Sequence, residues 1–300
     1  MSNFKEEIQK ALLEKRPNLS EKSLTSYIST LYNLPKKIKS ELSIDVFYDK
    51  MNQILNYLKT KLPRSRKSIL SPLVVLTDLE EYKTMMKSDI EEYNEDIKNQ
   101  IKTPKENLNW IEWNEVLKIN NDLKFYFNGG LKKNDMNNDL FKKMNEYVLL
   151  SFFVYFPPRR GMDYATMKFK NYDIHKNNYV DLKKKNMTFN EYKTFDKYGT
   201  QTFDLPIELS KILNQWTKLI NKYNNENDYV IITKSQGSVD ITKIFNEIFK
   251  PKKVSVNMLR HSYLTNFYST QNKMPDLITM EELAKKLGHS LTQSLLYIRK

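Results

Sequence analysis

The chain has 300 residues and a mass of 35.8 kDa, enough for two domains with buried cores. Its 49 Lys and Arg against 36 Asp and Glu give a formal net charge of +13, which favours a polyanionic partner, nucleic acid first and an acidic membrane surface second. The absence of cysteine excludes disulfides, thiolate nucleophiles and cysteine-ligated zinc.

Other function classes are disfavoured by missing motifs. The six glycines form neither G-x-x-x-x-G-K nor G-x-G-x-x-G, so a nucleotide-cradling loop is not expected. The three histidines are scattered, which argues against a histidine metal site. Residues 1–15 are charged throughout and show no signal sequence. The longest apolar run, residues 147–158, is too short to span a bilayer and predicts a buried helix.

The first third of the chain is predicted to be helical. Ser20 is a plausible N-cap, an apolar face follows it, and Pro35 is the expected stop. Helical patterns recur at about 48–60, 66–77 and 79–98. The polar stretch 99–109 lacks periodicity and is predicted to be a linker. We therefore expect a helical domain with its linker at 1–104 and a second domain at 105–300.

The second domain is predicted to be mostly helical with a small antiparallel hairpin. Its most apolar helix spans about 140–156, and Pro157 and Pro158 end it. Strands are expected in "YVDL", "MTFNEYKT" and "TQTFDLP". Alternation puts Met187, Phe189 and Lys193 on one face, so Lys193 is expected to leave the hairpin on the inward side. The predicted fold class is mainly α with a small antiparallel β-sheet.

An arginine occupies an unusual place in the helical stretch "NMLRHSYLTNFYST". At 100° per residue, Arg260 falls inside the apolar arc, between Tyr263 and Leu264. Burial of an unpaired guanidinium is costly, so either an internal carboxylate such as Asp163 or Glu282 or an anionic ligand should meet it.

The chemistry-bearing candidates fit phosphoryl transfer without a metal. Two arginines in apolar surroundings can fork onto one phosphate, a strand-end lysine can deliver a proton, and a tyrosine can attack phosphorus. No cluster of acidic residues suggests a two-metal nuclease, so charge neutralisation would fall to the arginines. The candidates are Arg160, Lys193, Arg260, His289 and Tyr297.

Residues 110–300 resemble the catalytic domain of the tyrosine recombinase (phage integrase) family, through four segments that follow in this order between residues 159 and 297. "RRGMDYATM" resembles its first arginine motif, and "YKTFDKYGTQTFDLP" resembles the hairpin that carries its lysine. "NMLRHSYLTNF" resembles its H-x-L-R-H helix, and "LGHSLTQSLLY" resembles the segment that carries its histidine and nucleophile. The N-terminal part resembles more loosely the family's helical core-binding domain.

The resemblance implies a site-specific DNA recombinase or integrase that clamps duplex DNA between its domains. Arg160 and Arg260 would hold the scissile phosphate, with His289 and Asn257 adding hydrogen bonds. Tyr297 would form a 3′-phosphotyrosyl bond while Lys193 protonates the leaving 5′ oxygen. The resemblance also implies that the protein needs no cofactor and does not bind a membrane. It implies a homotetramer on two DNA sites, possibly a monomer without DNA. The expected location is intracellular, with DNA, and the expected origin is a mobile element or virus.

Some alternatives remain open at this stage. A type IB topoisomerase-like enzyme shares the chemistry, and a non-catalytic DNA-binding relative is the third hypothesis, because Asn257 stands where the family usually has histidine. Arg159 competes with Arg160, and Lys197 is the fallback for Lys193. Only three residues follow Tyr297, whereas relatives often continue with a segment that packs on a neighbouring subunit.

Supporting residues are also expected. Asp163 is predicted to support an arginine, and His261 is predicted to be structural. In the N-terminal domain, Arg64, Arg66 and Lys67 precede an apolar helix and are the expected DNA-backbone contacts.

Overall fold

The computed structural model describes residues 3–133, 137–223, 226–232 and 240–300, except for the side chains of Arg64 and Asp96. The chain divides into two compact units, Met1–Asn99 and Gln100–Lys300. Among the described residues, no helix combines the length and apolar character needed to cross a bilayer.

Every regular element described in the first unit is a helix. The helices are α1 (Asn3–Lys15), α2 (Glu21–Lys37), α3 (Val46–Asp49), α4 (Met51–Lys59), α5 (Pro63–Thr77) and α6 (Glu80–Lys98). Their apolar faces form one core, which includes Ile8, Leu31 and Leu73, and Tyr82 anchors it by donating to the carbonyl of Phe47 over 2.8 Å.

The predicted start of α2 is confirmed, and its predicted stop is wrong. Ser20 caps the helix by accepting from the backbone N–H of Ser23. Pro35 lies inside the helix, which continues to Lys37. Proline removes one donor here, and burial of Leu34 and Pro35 in the last turns keeps the helix in place.

The second unit is mainly helical and contains a three-stranded sheet, so the predicted fold class is confirmed. Its first elements are α7 (Pro104–Asn109), α8 (Trp113–Gly130), α9 (Asn138–Tyr155), α10 (Gly161–Ala165), β1 (Tyr179–Asp181), β2 (Asn186–Phe189), α11 (Phe195–Tyr198) and β3 (Gln201–Asp204). Its last elements are α12 (Ile207–Tyr223), α13 (Ile241–Ile248), α14 (Val256–Ser269), α15 (Leu277–Leu287) and α16 (Leu291–Leu295).

Helix α9 supplies the centre of the core of this unit. Its residues from Met144 to Phe153 are buried, as the apolar run predicts. The helix ends before Pro157, because the residue that precedes a proline is driven to an extended backbone, as Phe156 is. The sheet packs into the same core through Val180 and Met187.

The antiparallel sheet has the order β1–β2–β3, with Met187 opposite Val180 on one side and Phe203 on the other. Strand β2 ends at Phe189, five residues before the end of the predicted strand. The segment that follows is irregular and leads into α11, so strand alternation does not continue to Lys193.

The polar stretch predicted to be an irregular linker contains helix α7. A capping box starts this helix: the Thr103 hydroxyl accepts from the backbone of Glu106, and the Glu106 carboxylate accepts from the backbone N–H of Thr103. Pro104 occupies the first turn, where a proline costs no hydrogen bond. Capping, rather than an apolar stripe, therefore defines this helix, and periodicity alone does not reveal it.

Candidate active site

Three arginines converge on the C-terminal end of α15. Arg159, Arg260 and Arg160 donate to the carbonyls of three consecutive residues, Lys286 (3.1 Å), Leu287 (3.3 Å) and Gly288 (2.8 Å). The last carbonyls of a helix have no partner within it, and this end carries the negative pole of the helix dipole. The arginines thus complete the helix end while gathering positive charge in one place.

Gly288 makes this turn possible. Its φ of +73° places it in the left-handed region at the C-cap of α15, which glycine adopts without strain. A methyl group at Gly288 would lie 2.9 Å from Nη2 of Arg159. The Gly288 carbonyl also accepts from the Thr194 hydroxyl over 3.1 Å, which ties the segment after β2 to the same turn.

Arg260 is the buried charge that the sequence pattern singles out. It lies within α14 and is 2% exposed, and its Nε is buried without a hydrogen-bond partner among the residues that the structure describes. Burial is the main reason why the pKa of the guanidinium is lowered to about 10; Tyr297 opposes this shift, and the charge of Arg160 adds to it. Within the described part of the chain, Arg260 forms no ion pair with a carboxylate, because Asp163 pairs with Arg159 and Glu282 is exposed.

The two neighbouring arginines differ in their environment. Arg159 is fully buried: its Nε donates to Asp163 Oδ2 over 2.7 Å, its Nη1 donates to Gln201 Oε1 over 2.9 Å, and its guanidinium carbon lies 4.1 Å from the centre of the Phe189 ring. Burial raises the pKa of the Asp163 carboxyl, and the charge of Arg159 opposes that shift. Arg159 therefore joins α10 to β3 and α15 as an internal crosslink.

Arg160 is half-buried and is the N-cap residue of α10. Asp163, three residues later, supports Arg159 and not Arg160, so the offset that favours Arg160 in the sequence is not the reason for its placement. Its position beside Gly288, with its charge felt by Arg260, makes it the arginine with access to a ligand.

Tyr297 lies against Arg260 and His289. The Arg260 guanidinium carbon is 4.7 Å from the centre of the Tyr297 ring, a cation–π distance. The rings of His289 and Tyr297 are stacked, with centroids 5.4 Å apart and planes 9° apart. The tyrosine that the sequence assigns as the nucleophile thus lies in the arginine cluster, although it follows Arg160 by more than 130 residues.

His289 is 5% exposed and is a neutral imidazole at neutral pH. Burial, and then the charge of Arg260, lower its pKa to about 3. Its Nδ1 lies 3.2 Å from the Ser290 carbonyl oxygen, and since a carbonyl only accepts, Nδ1 carries the proton. Its Nε2 is buried and has no hydrogen-bond partner in the part of the chain that the structure describes.

Among the described residues, no hydrogen bond or ion pair joins the side chains of the other two predicted catalytic residues to this cluster. Asn257 is exposed on the first turn of α14, and its amide nitrogen is 3.2 Å from Nε2 of His261. Lys193 is exposed, so its predicted inward orientation is wrong, because β2 ends before it and Tyr192 takes the buried position. The fallback, Lys197, is also exposed, and its Nζ lies over the Tyr198 ring at 5.3 Å.

The three residues of the first unit that are predicted to contact DNA differ in their surroundings. The side chain of Arg64 lies outside the described part of the chain. Arg66 is engaged by Asp89, with Nε donating to Oδ2 over 2.9 Å and Nη2 paired with Oδ1. Lys67 is exposed. The bidentate pair gives Arg66 a structural partner within its own unit, which the sequence pattern does not reveal.

The chain was compared with known proteins. No protein-family model matches it, and no curated protein matches it. Among solved structures, it is similar to the crystal structure of XerA recombinase, with a TM-score of 0.43 and 14% sequence identity over 97% of this chain and 92% of that chain. A similarity at this level does not assign the chain to a family.

The sequence does not single out two residues that lie beside the cluster, Glu106 and Arg299. A third, His261, is predicted to be structural, but its contact with Tyr297 is not predicted. Glu106 and Arg299 form an ion pair that reaches His261, and the Nδ1 of His261 lies 2.7 Å from the backbone oxygen of Tyr297. The adjacency of His261 to Arg260 is the one local signal for this arrangement. Among the described residues, no group of three or more His, Asp or Glu side chains could hold a metal ion.

Proposed function

We propose that this protein is a site-specific DNA recombinase or integrase that cleaves and rejoins duplex DNA through a covalent 3′-phosphotyrosyl intermediate. The observation that carries the proposal is Arg260, a buried guanidinium without a carboxylate partner among the described residues, in contact with the ring of Tyr297. A buried cation of this kind is stabilised when an anion binds to it.

The scissile phosphate is the anion that the surrounding groups suit best. Arg160 and Arg260 approach the same helix end, so both can donate to the non-bridging oxygens of one phosphate. Asn257 offers an amide donor one turn before His261, whereas the Nε2 of His289, unprotonated in this tautomer, can donate to the phosphate only after it takes up a proton. The net charge of +13 favours DNA as the source of this phosphate.

The proposed reaction conserves one phosphoester bond in each step. The Oη of Tyr297 releases its proton to water and bonds to phosphorus, the bond from phosphorus to the 5′ oxygen breaks, and Lys193 supplies a proton to that oxygen. A 5′-hydroxyl then attacks the phosphotyrosine and gives its proton to the neutral amine of Lys193. The bond from phosphorus to Oη breaks, Tyr297 takes up a proton from water, and the DNA is restored. The arginines stabilise the extra charge on the non-bridging oxygens, which is the main source of acceleration in such a transfer.

Lys193 has support from its segment rather than from a contact of its own. Thr194 donates to the Gly288 carbonyl, the same oxygen that Arg160 contacts. Lys193, whose ammonium group is exposed, is therefore the neighbour in sequence of a residue that contacts the same turn as Arg160. A lysine ammonium at this position could serve as the general acid for the leaving oxygen.

The decisive experiment traps the covalent intermediate without knowledge of the target site. A library of duplexes, each with a nick that releases a short fragment next to a randomised segment, is incubated with the protein, denatured and searched for protein-bound DNA. The wild type should retain DNA on a denaturing gel. Tyr297→Phe and Arg260→Ala should retain none, and Tyr198→Phe, a change at an exposed tyrosine, should behave as the wild type.

Two other functions are outcomes of the same test. If the wild type binds DNA but retains none of the library after denaturation, the protein is a non-catalytic DNA-binding relative. If dilute protein relaxes supercoiled plasmid, a type IB topoisomerase-like enzyme is favoured over a recombinase. Tetramers on paired DNA sites, measured by sedimentation, would favour the recombinase.

A further inference from the structure

The segment that carries Tyr297 is not held by regular secondary structure. Helix α16 ends at Leu295, and residues 297–300 follow it as a turn and irregular chain. A nucleophile must be held to within a fraction of an ångström of its attack position, so its backbone needs tertiary partners. The hydrogen bonds of this short segment to the rest of the unit therefore determine where Tyr297 lies.

His261 holds the segment from the side of α14. Its Nδ1 donates to the Tyr297 carbonyl over 2.7 Å, and its ring lies 4.7 Å from the Tyr297 ring. One residue farther along, the backbone N–H of Arg299 donates to the Thr265 hydroxyl over 2.9 Å. Helix α14, which carries Arg260, thus also fixes the backbone on both sides of Ile298.

The protonation of His261 agrees with this arrangement. Burial, and then the charge of Arg299, lower its pKa to about 4, so the ring is neutral at neutral pH. Its Nδ1 carries the proton, because the Tyr297 carbonyl can only accept. Its Nε2 then accepts, and the donors beside it are the Asn257 amide at 3.2 Å and Nη2 of Arg299 at 3.3 Å.

Glu106 holds the segment from the side of α7. Its Oε1 lies 3.4 Å from Nη2 and from Nε of Arg299, and the two side chains are 16% and 8% exposed. Its other oxygen, Oε2, accepts from the backbone N–H of Thr103 over 2.8 Å, so the capping box of α7 fixes the carboxylate. Although burial alone would raise the pKa of Glu106, the Thr103 N–H and the charge of Arg299 lower it, and the carboxylate is ionised.

Residues 100–102 hold the last residue. The backbone N–H of Lys300 donates to the Gln100 carbonyl over 2.8 Å, and Nζ of Lys102 donates to the Lys300 carbonyl over 2.7 Å. Contacts from α14, from α7 and from the segment before α7 therefore hold three of the four residues 297–300, namely Tyr297, Arg299 and Lys300.

We propose that Glu106, acting through Arg299, and His261 are positioning residues that clasp residues 297–300 and hold Tyr297 against Arg260 of the same protomer. The proposal rests on the function proposed above for Tyr297. Neither residue touches the phosphate. Their effect is to fix the backbone from which the phenol projects.

The kinetic test separates positioning from DNA binding. Glu106→Gln keeps the size of the side chain and removes its charge. At saturating DNA it should slow formation of the covalent adduct about 10- to 100-fold, since a displacement of about 1 Å can cost this much. The dissociation constant of the non-covalent complex should change less than about threefold. Glu281→Gln, at an exposed glutamate of α15, is the matched control and should change neither value.

A conservative variant distinguishes positioning by hydrogen bonding from simple packing. His261→Asn retains a side-chain N–H donor near the place of Nδ1 and should retain a larger part of the cleavage rate than His261→Leu. Because Glu106 and Arg299 act as one unit, the double variant Glu106→Gln and Arg299→Gln should cleave no more slowly than the slower single variant. Additive losses, or equal rates for His261→Asn and His261→Leu, would overturn the proposal.

A crosslink tests the clasp without any activity. The natural chain has no cysteine, so Gln100→Cys together with Lys300→Cys creates a single possible pair. Mild oxidation should give an intramolecular disulfide in the monomer at every protein concentration. A dimer linked between chains, or no crosslink, would overturn the clasp within one protomer.

The adduct kinetics of Glu106→Gln and the crosslink together separate this inference from the proposed function. If the wild type forms no covalent adduct but the crosslink forms within one chain, the proposed function fails and the clasp geometry stands. If the wild type forms the adduct and Glu106→Gln forms it at the same rate, the function stands and the positioning role is refuted.

Discussion

The buried pair of Arg159 and Asp163 should be a stability element that can be separated from Arg160, the neighbouring arginine proposed to hold the phosphate. Both side chains are 0% exposed, and the Nε to Oδ2 distance is 2.7 Å. Replacing Asp163 by asparagine removes the countercharge and leaves the guanidinium of Arg159 buried. Loss of one partner of a buried ion pair costs about 3–5 kcal/mol.

Other contacts place the expected cost near the lower end of that range. Arg159 keeps its hydrogen bonds to Gln201 and to the Lys286 carbonyl, and the Phe189 ring remains 4.1 Å from its guanidinium carbon. We expect Asp163→Asn to destabilise the second unit by about 3 kcal/mol, which corresponds to a fall in Tm of roughly 6–12 °C for a domain of this size.

Thermal unfolding followed by circular dichroism measures this effect, and Arg160→Ala is the matched comparison. Arg160 is half-buried, and its replacement by alanine removes a hydrogen bond to the Gly288 carbonyl worth about 1 kcal/mol. Arg160→Ala should therefore be only slightly destabilised, but it should no longer form the covalent adduct. The double variant Arg159→Met and Asp163→Leu should be more stable than Asp163→Asn, because it buries no unpaired charge. If Asp163→Asn unfolds at the wild-type temperature, or if Arg160→Ala destabilises as strongly, the separation of the two arginines is wrong.

Three further results are expected. Gly288→Ala should lower the free energy of unfolding, measured by urea titration, by about 2–5 kcal/mol, because alanine is strained in the left-handed region and its methyl group would overlap with Arg159. Gly129→Ala, whose methyl group meets open space in α8, should not destabilise the protein. Equal effects of the two changes would contradict the role of the turn. Burial lowers the pKa of His289 from 6.5 in the unfolded chain to about 3 in the folded protein, so the unfolded state takes up the proton first and stability falls as the pH drops from about 6.5 towards 3. His289→Asn should reduce the slope of the free energy of unfolding against pH by up to about 1.4 kcal/mol per pH unit. An unchanged slope would refute the buried neutral imidazole. Arg160→Ala should reduce the slope of log affinity for DNA against log salt by about one, and an unchanged slope would remove Arg160 from the phosphate site.

The fold class could be predicted because its signals are local. The apolar run of α9 and the cap at Ser20 each depend on neighbouring residues, and the structure agrees with both. The end of β2 could not be predicted, because Lys193 continues the alternation in sequence while the chain has already left the sheet. Alternation shows which residues could share a face but not where the ladder of hydrogen bonds stops.

The candidate site was predictable only in part for the same reason. Arg260 is conspicuous because it interrupts an apolar arc, and the structure buries it. The choice of partner for Asp163 was not predictable, since Arg159 and Arg160 both precede α10, where helical spacing does not apply. The contact between Glu106 and Arg299 joins residues 193 positions apart and leaves no trace in any local pattern.

The most direct measurement identifies the atom that carries the DNA. Covalent adducts from the randomised library are digested with nuclease and trypsin, and the peptide spanning residues 287–299, which contains one tyrosine, is fragmented in a mass spectrometer. The account predicts a nucleotide remnant on Tyr297, present in the wild type and absent from Arg260→Ala. A remnant on any other residue, or an adduct that persists at wild-type yield in Arg260→Ala, would contradict the convergence of this arginine and this tyrosine on one phosphate.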